Sequence, residues 1–191
     1  MPSNAYTNHL LVLLRDATEL HDAHVELRTG QVGRQWGLGA LNRAVVVLCV
    51  SAWESYVEEI VRESLESFRP IAPAPLSTWQ ALNASARSQI GRFNTPNPDN
   101  VRMLISDAIG LQDVTPFWNW RNCTPSHARN LLSQALTYRH QIAHGVNPRP
   151  IIHNQYSGWL PGFFERLGLH TDNAIRDHLV NVLAVAAPWP L

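Results

Sequence analysis

Residues Ala44–Val61 read AVVVLCVSAWESYVEEIV. The run is apolar almost all round, which a helix accepts only where other elements surround it. It therefore predicts a central, buried helix and an all-helical chain built about it. Extended outward, this helix spans roughly Ala40 to Arg69 and stops before Pro70, whose ring disfavours helical backbone in the residue ahead of it. Val47, Val50, Val57 and Val61 form one stripe of it, and Glu54 sits inside that stripe. A carboxylate in an apolar stripe calls for a cation.

Working outward, the remaining segments show helical rather than alternating period. A first helix is predicted from about Asn4 to Thr29, with Gly30 as its C-cap and Gly33, Gly37 and Gly39 in the loop beyond. PIAPAP, Pro70–Pro75, reads as a stiff connector, and Ser77 as the cap of a short helix reaching about Ile90. GRFNTPNPDN is turn-rich, and Pro98 or Asp99 opens a helix to about Ile109. Gly110–Asn122 reads as a packed loop carrying Phe117, Trp118 and Trp120. Thr124 and Pro125 carry an N-cap and N1 signal for a helix that ends at Gly145. A last helix is predicted from near Thr171 to about Ala187. The expected fold is all-α, one domain over residues 1–191, with Pro70–Thr124 as a decorated middle segment.

Composition narrows the function. The chain has 191 residues, 45% hydrophobic and 16% charged, with 15 basic and 15 acidic residues and a formal net charge of zero. That excludes a globally basic nucleic-acid binder, so any such contact must be local. Every basic residue is arginine, which removes Schiff-base and P-loop lysine chemistry. Cys49 and Cys123 are too few for a disulfide framework or a thiolate zinc site. No run is long enough to span a membrane, and the first residues lack the basic region of a signal peptide. A cytoplasmic protein with no cofactor is expected.

The Pro125–Gly145 helix carries the anomaly that points to chemistry. Ala128, Leu131, Leu132, Ala135, Leu136, Ile142 and Ala143 form an apolar stripe, and Arg139 falls near its middle. Either Arg139 is buried and paired, with Glu54 the obvious partner, or the stripe's last turns face a cleft or a second subunit. His140 and His144 follow, four residues apart and on one edge of the last turn. Three readings stand. They are cationic helix-terminating residues ahead of a Gly145 cap. They are zinc ligands, although Gln141 replaces the glutamate of an HExxH motif and no third ligand is evident. Or they are acid–base catalysts, with the neighbouring arginine holding a phosphate.

RHQIAHG, Arg139–Gly145, resembles the R-x4-6-H motif of HEPN domains in its common R-N-x-x-A-H-G form, with His140 where asparagine is more frequent. VLCVSAWESYVEEIVRESLE, Val47–Glu66, resembles the long central helix of that family, glutamate included. FNTPNPDNVRMLISDAIGLQ, Phe93–Gln112, resembles the middle segment of the RiboL-PSP-HEPN branch. The resemblance implies an all-α up-and-down bundle of the HEPN type, a homodimer whose two motifs meet at the interface, and metal-independent RNA cleavage. It implies that Arg139 contacts the scissile phosphate, that His144 acts as general base or acid, that His140 shapes the site and that Glu54 orients Arg139. Prokaryotic defence or a toxin–antitoxin-like system, with an antitoxin as protein partner, is the setting it suggests. Arg149, just past the motif, is a candidate phosphate contact or a solvated loop residue.

Two other classes of function compete with an endoribonuclease. One is a catalytically silent module that binds RNA, nucleotide or a protein; the other is a helical scaffold with a purely structural Arg139–Glu54 pair. The scattered tryptophans read as core and loop anchors rather than a base-stacking platform, with base stacking by Trp118 and Trp120 beside Arg121 as the lesser alternative. His21 and His24 read as a solvated face of the first helix.

Overall fold

The computed structural model describes residues 1–27, 38–70, 73–186 and 188–189. A π-helical turn, Ala5–Leu10, leads into α1 (Leu11–Glu26). Then follow α2 (Leu38–Ser67), α3 (Pro73–Ile90), α4 (Pro98–Ile109), α5 (Pro125–Ala143) and α6 (Asn154–Asn181). A 3-10 turn, Thr115–Phe117, lies between α4 and α5. Among the described residues the sole extended pairing is an isolated bridge between Trp120 and Cys123. The fold is all-α, as the opening stretch predicts. The end of the first helix near Thr29, the Gly30 cap and Gly33, Gly37 and Trp36 lie outside the described residues.

The central place of α2 follows from its sequence. Val45, Val46, Cys49, Val50, Trp53, Tyr56, Val57, Ile60 and Val61 are all fully buried, so two faces of the helix are covered at once. It packs against each of α1, α3, α4, α5 and α6. The Trp53 ring meets Tyr56 at 5.5 Å, Trp118 at 6.1 Å and Phe164 at 6.2 Å, which ties α2 to the α4–α5 loop and to α6. Its indole N–H donates to the Pro96 carbonyl at 3.0 Å, and the Tyr56 hydroxyl donates to the Gly168 carbonyl at 3.0 Å. Both aromatic polar atoms are thus satisfied inside the core, as burial requires.

The local signals at α4 and α5 hold. The Asn97 side chain accepts the Asn100 N–H at 2.8 Å and Pro98 occupies the first turn; Gly110, at φ 79°, closes α4. The Thr124 hydroxyl accepts the His127 N–H at 3.3 Å, with Pro125 following. Other expectations fail: Gly39 lies inside α2 rather than in a loop, Ser77 lies inside α3 rather than at its cap, and the last helix ends at Asn181 rather than near Ala187. The helix α3 begins at Pro73, so the second half of the supposed connector is its first turn, where proline is tolerated. More consequentially, the last helix does not start near Thr171. α6 starts at Asn154 and passes through Pro161. Leu160, Phe163, Phe164, Leu167, Ile175 and Leu179 are buried along it at helical spacing. That burial outweighs the bond the proline removes.

The chain start is clamped against α2 and α6. Glu63 accepts the N–H groups of Asn4 and Ala5, both at 2.9 Å, capping the first turn from another helix. The Ser3 hydroxyl and backbone N–H donate to Asp172, which is fully buried. A Cβ on Gly168 would fall 2.1 Å from the Leu10 side chain, so the first turn crosses α6 where only glycine fits.

Candidate active site

The site begins with how α5 ends. The Gly145 N–H donates to the Ile142 carbonyl at 3.1 Å and the Val146 N–H to the Gln141 carbonyl at 2.8 Å, with Gly145 at φ 69°. This double closure fixes the last turn and needs glycine at its left-handed position. His144 is the C-cap residue, its N–H donating to the His140 carbonyl at 3.1 Å. Both histidine side chains are exposed, and their rings stand 4.3 Å apart at 57°. Two titratable rings therefore sit side by side on an open helix end.

Arg139 precedes them and is half-buried. On the same helix Ala128, Leu132, Ala135 and Tyr138 are buried. Glu54, across on α2, is also half-buried. Burial pushes its carboxyl above the usual range, the Arg139 charge pulls it back, and Glu58 raises it further. The two groups feel one another, yet Arg139–Glu54 is not among the ion pairs within 4.0 Å. The tight buried pair that a purely structural account calls for is not formed. Arg139 keeps guanidinium donors for another acceptor.

The Arg149 N–H donates to the Gln141 side-chain oxygen at 3.4 Å, which folds Val146–Pro150 back along the last turn. Arg149 itself is exposed. Arg139, His140, His144 and Arg149 are thus brought to one end of the bundle, with Glu54 behind them. Among the described residues, no three His, Cys, Asp or Glu side chains gather as a metal-holding group.

The family model of RiboL-PSP-HEPN matches residues 13–177. The chain belongs to the RiboL-PSP-HEPN family. No curated protein and no solved structure matches it. That family is one of RNases and nucleotide-binding modules, and the all-α architecture of this HEPN chain accords with it. No helix among the described residues is long and apolar enough to cross a membrane.

Elsewhere Trp118 follows the sequence reading, while His21 and His24 depart from it. Trp118 is fully buried and its indole N–H donates to Thr171 at 2.9 Å, a packing role. His24 is buried and His21 half-buried rather than solvated. Their rings stack at 6.2 Å, and the His21 Nδ1 shares a 3.3 Å hydrogen bond with Ser157 on α6. The reading placed nothing functional in Asn154–Leu191. Yet the first turn of α6 reaches α5, with Tyr156 meeting Tyr138 edge-on at 5.3 Å. The aromatic and glycine spacing of Tyr156, Gly158, Trp159, Gly162 and Phe163 was the available signal.

Proposed function

We propose that this chain is a metal-independent endoribonuclease that acts as a homodimer. The observation that carries the reading is Arg139, half-buried and with no ion pair within 4.0 Å among the described residues, beside two exposed histidines on a capped helix end. One copy of His144 takes the proton from a ribose 2′-hydroxyl, whose oxygen attacks the adjacent phosphorus. The bond from phosphorus to the 5′-oxygen breaks, and a second copy of His144 across the dimer interface protonates the leaving oxygen. Arg139 binds the scissile phosphate and stabilises the charge that grows on it. Glu54 orients Arg139 from α2, His140 shapes the site, and Arg149 adds a phosphate contact from the loop. The products are a 2′,3′-cyclic phosphate and a 5′-hydroxyl. DNA, lacking the 2′-hydroxyl, is resistant. The branch of the family suggests a role in prokaryotic defence or a toxin–antitoxin-like system, with an antitoxin protein as partner.

The test is cleavage of total RNA and matched DNA in excess EDTA, with wild type beside His144→Ala. RNA cut by wild type alone, leaving cyclic-phosphate ends, is the expected result. Cleavage abolished by EDTA sinks the metal-free mechanism. RNA bound equally by both proteins and cut by neither supports a silent binding module instead.

A further inference from the structure

A second feature lies about two turns back from Arg139 along α5, roughly 12 Å at about 1.5 Å per residue. There α5, α6 and the tight turn at Trp120–Cys123 enclose an open groove of about 430 Å³. Trp120, Trp159 and Phe163 form its apolar walls, and Arg121 and Arg166 stand at its edge. No Asp or Glu lines it. Neither arginine has an ion pair within 4.0 Å among the described residues. Both are exposed.

Neighbouring rings brace the walls. Trp159 is 37% exposed, yet it is held by Tyr156 at 5.1 Å and Phe163 at 5.7 Å, both nearly perpendicular to it. Trp120 is braced by Phe163 at 6.1 Å and stacks on His170 at 5.2 Å. The groove is also kept open by a residue with no packing reason to be small. A Cβ on Gly162 would meet nothing within 4 Å, although glycine in a helix interior is unfavourable relative to alanine.

We propose that this groove holds a base of single-stranded RNA, stacked on Trp159 and Trp120, while Arg121 and Arg166 contact the flanking phosphates. Flat aromatic walls accept any base face, and unpaired arginines beside a carboxylate-free groove fit a polyanion. The proposal rests on the nuclease reading, for it gives that site a second grip on the same strand. It also supplies a local basic patch in a chain whose net charge is zero.

The experiment measures binding of a short fluorescent oligouridylate by anisotropy in EDTA, in a His144→Ala background so that the probe stays intact. Trp159→Ala is expected to weaken binding by about five- to a hundredfold, the range for loss of one stacked base. Gly162→Leu fills the groove from an open position that tolerates a side chain, and it is expected to weaken binding without loss of thermal stability. Arg166→Ala is expected to lower the salt slope by about 0.7, one phosphate's share on a single strand. Unchanged affinity in both Trp159→Ala and Gly162→Leu overturns the groove, and RNA cleavage by the wild type then leaves the nuclease reading intact. Trp159-dependent binding with no cleavage by wild type keeps the groove and removes the nuclease. No RNA binding by any form overturns both.

Discussion

Asp172 offers a quantitative test of how this fold is held. Its carboxyl is fully buried on α6 and accepts from the Ser3 backbone N–H and hydroxyl. Burial is the largest influence and raises its pKa from 3.8 to about 6; the Ser3 hydrogen bonds and Arg176 oppose this, while Glu63 reinforces it. A raised folded-state pKa means that the protonated acid suits the fold better than the carboxylate. The stability this contributes is complete below about pH 4 and is lost as pH rises through about 6. About two pKa units at about 1.4 kcal/mol each come to about 3 kcal/mol. Asp172→Asn keeps the shape and removes the titration. Urea unfolding of both proteins across this pH range gives the difference in stability, in which the shared histidine titrations cancel. Wild type is expected to lose about 3 kcal/mol relative to the variant as pH rises. A difference that is flat, or that moves the other way, refutes the claim that burial outweighs the Ser3 hydrogen bonds.

Three further substitutions test the geometry. Because Arg139 makes no ion pair within 4.0 Å among the described residues, Arg139→Ala should cost at most about 1 kcal/mol in urea unfolding, rather than the several expected of a broken buried pair. The same variant should lose about a hundredfold or more in RNA cleavage. Gly145→Ala places a side chain at φ 69°, and calorimetry should register about 1–2 kcal/mol of destabilisation, with RNA cleavage reduced because His144 shifts with the cap. Gly168→Ala drives a Cβ to 2.1 Å from Leu10 and should cost about 1–3 kcal/mol, read from the same unfolding curves.

What was legible in the sequence was what short-range physics dictates. The all-round apolar character of Ala44–Val61 required a surrounded helix, and α2 is one. Thr124, Pro125 and Gly145 marked both ends of α5 because capping is a matter of a few adjacent residues. The start of α6 was misplaced because Pro161 and the glycines at 158, 162 and 168 are locally unfavourable. Their tolerance comes from what α6 packs against, which no local rule contains. The proximity of Glu54 and Arg139 followed from two anomalies in two apolar stripes. That they stop short of an ion pair depends on helix separation, a tertiary quantity. Trp120 beside Arg121 already offers a stacking surface in the sequence, whereas Trp159 is distinguished from a core residue such as Trp118 only once α6 is placed.

The proline inside α6 has a consequence for how the molecule opens. With no N–H at residue 161, the ladder of i→i−4 bonds is interrupted there. The helix is thereby expected to open as two units of unequal cooperativity. The part beyond the break carries Asp172 and its clamp on the chain start and opens only with the core. The part before it carries Tyr156 and Trp159 and joins the rest of α6 across the missing bond. Native-state hydrogen exchange should read this as a step in protection at Pro161, with one wall of the aromatic groove on the more labile side. A wall of that kind can adjust to the size of a base while the bundle behind it stays closed.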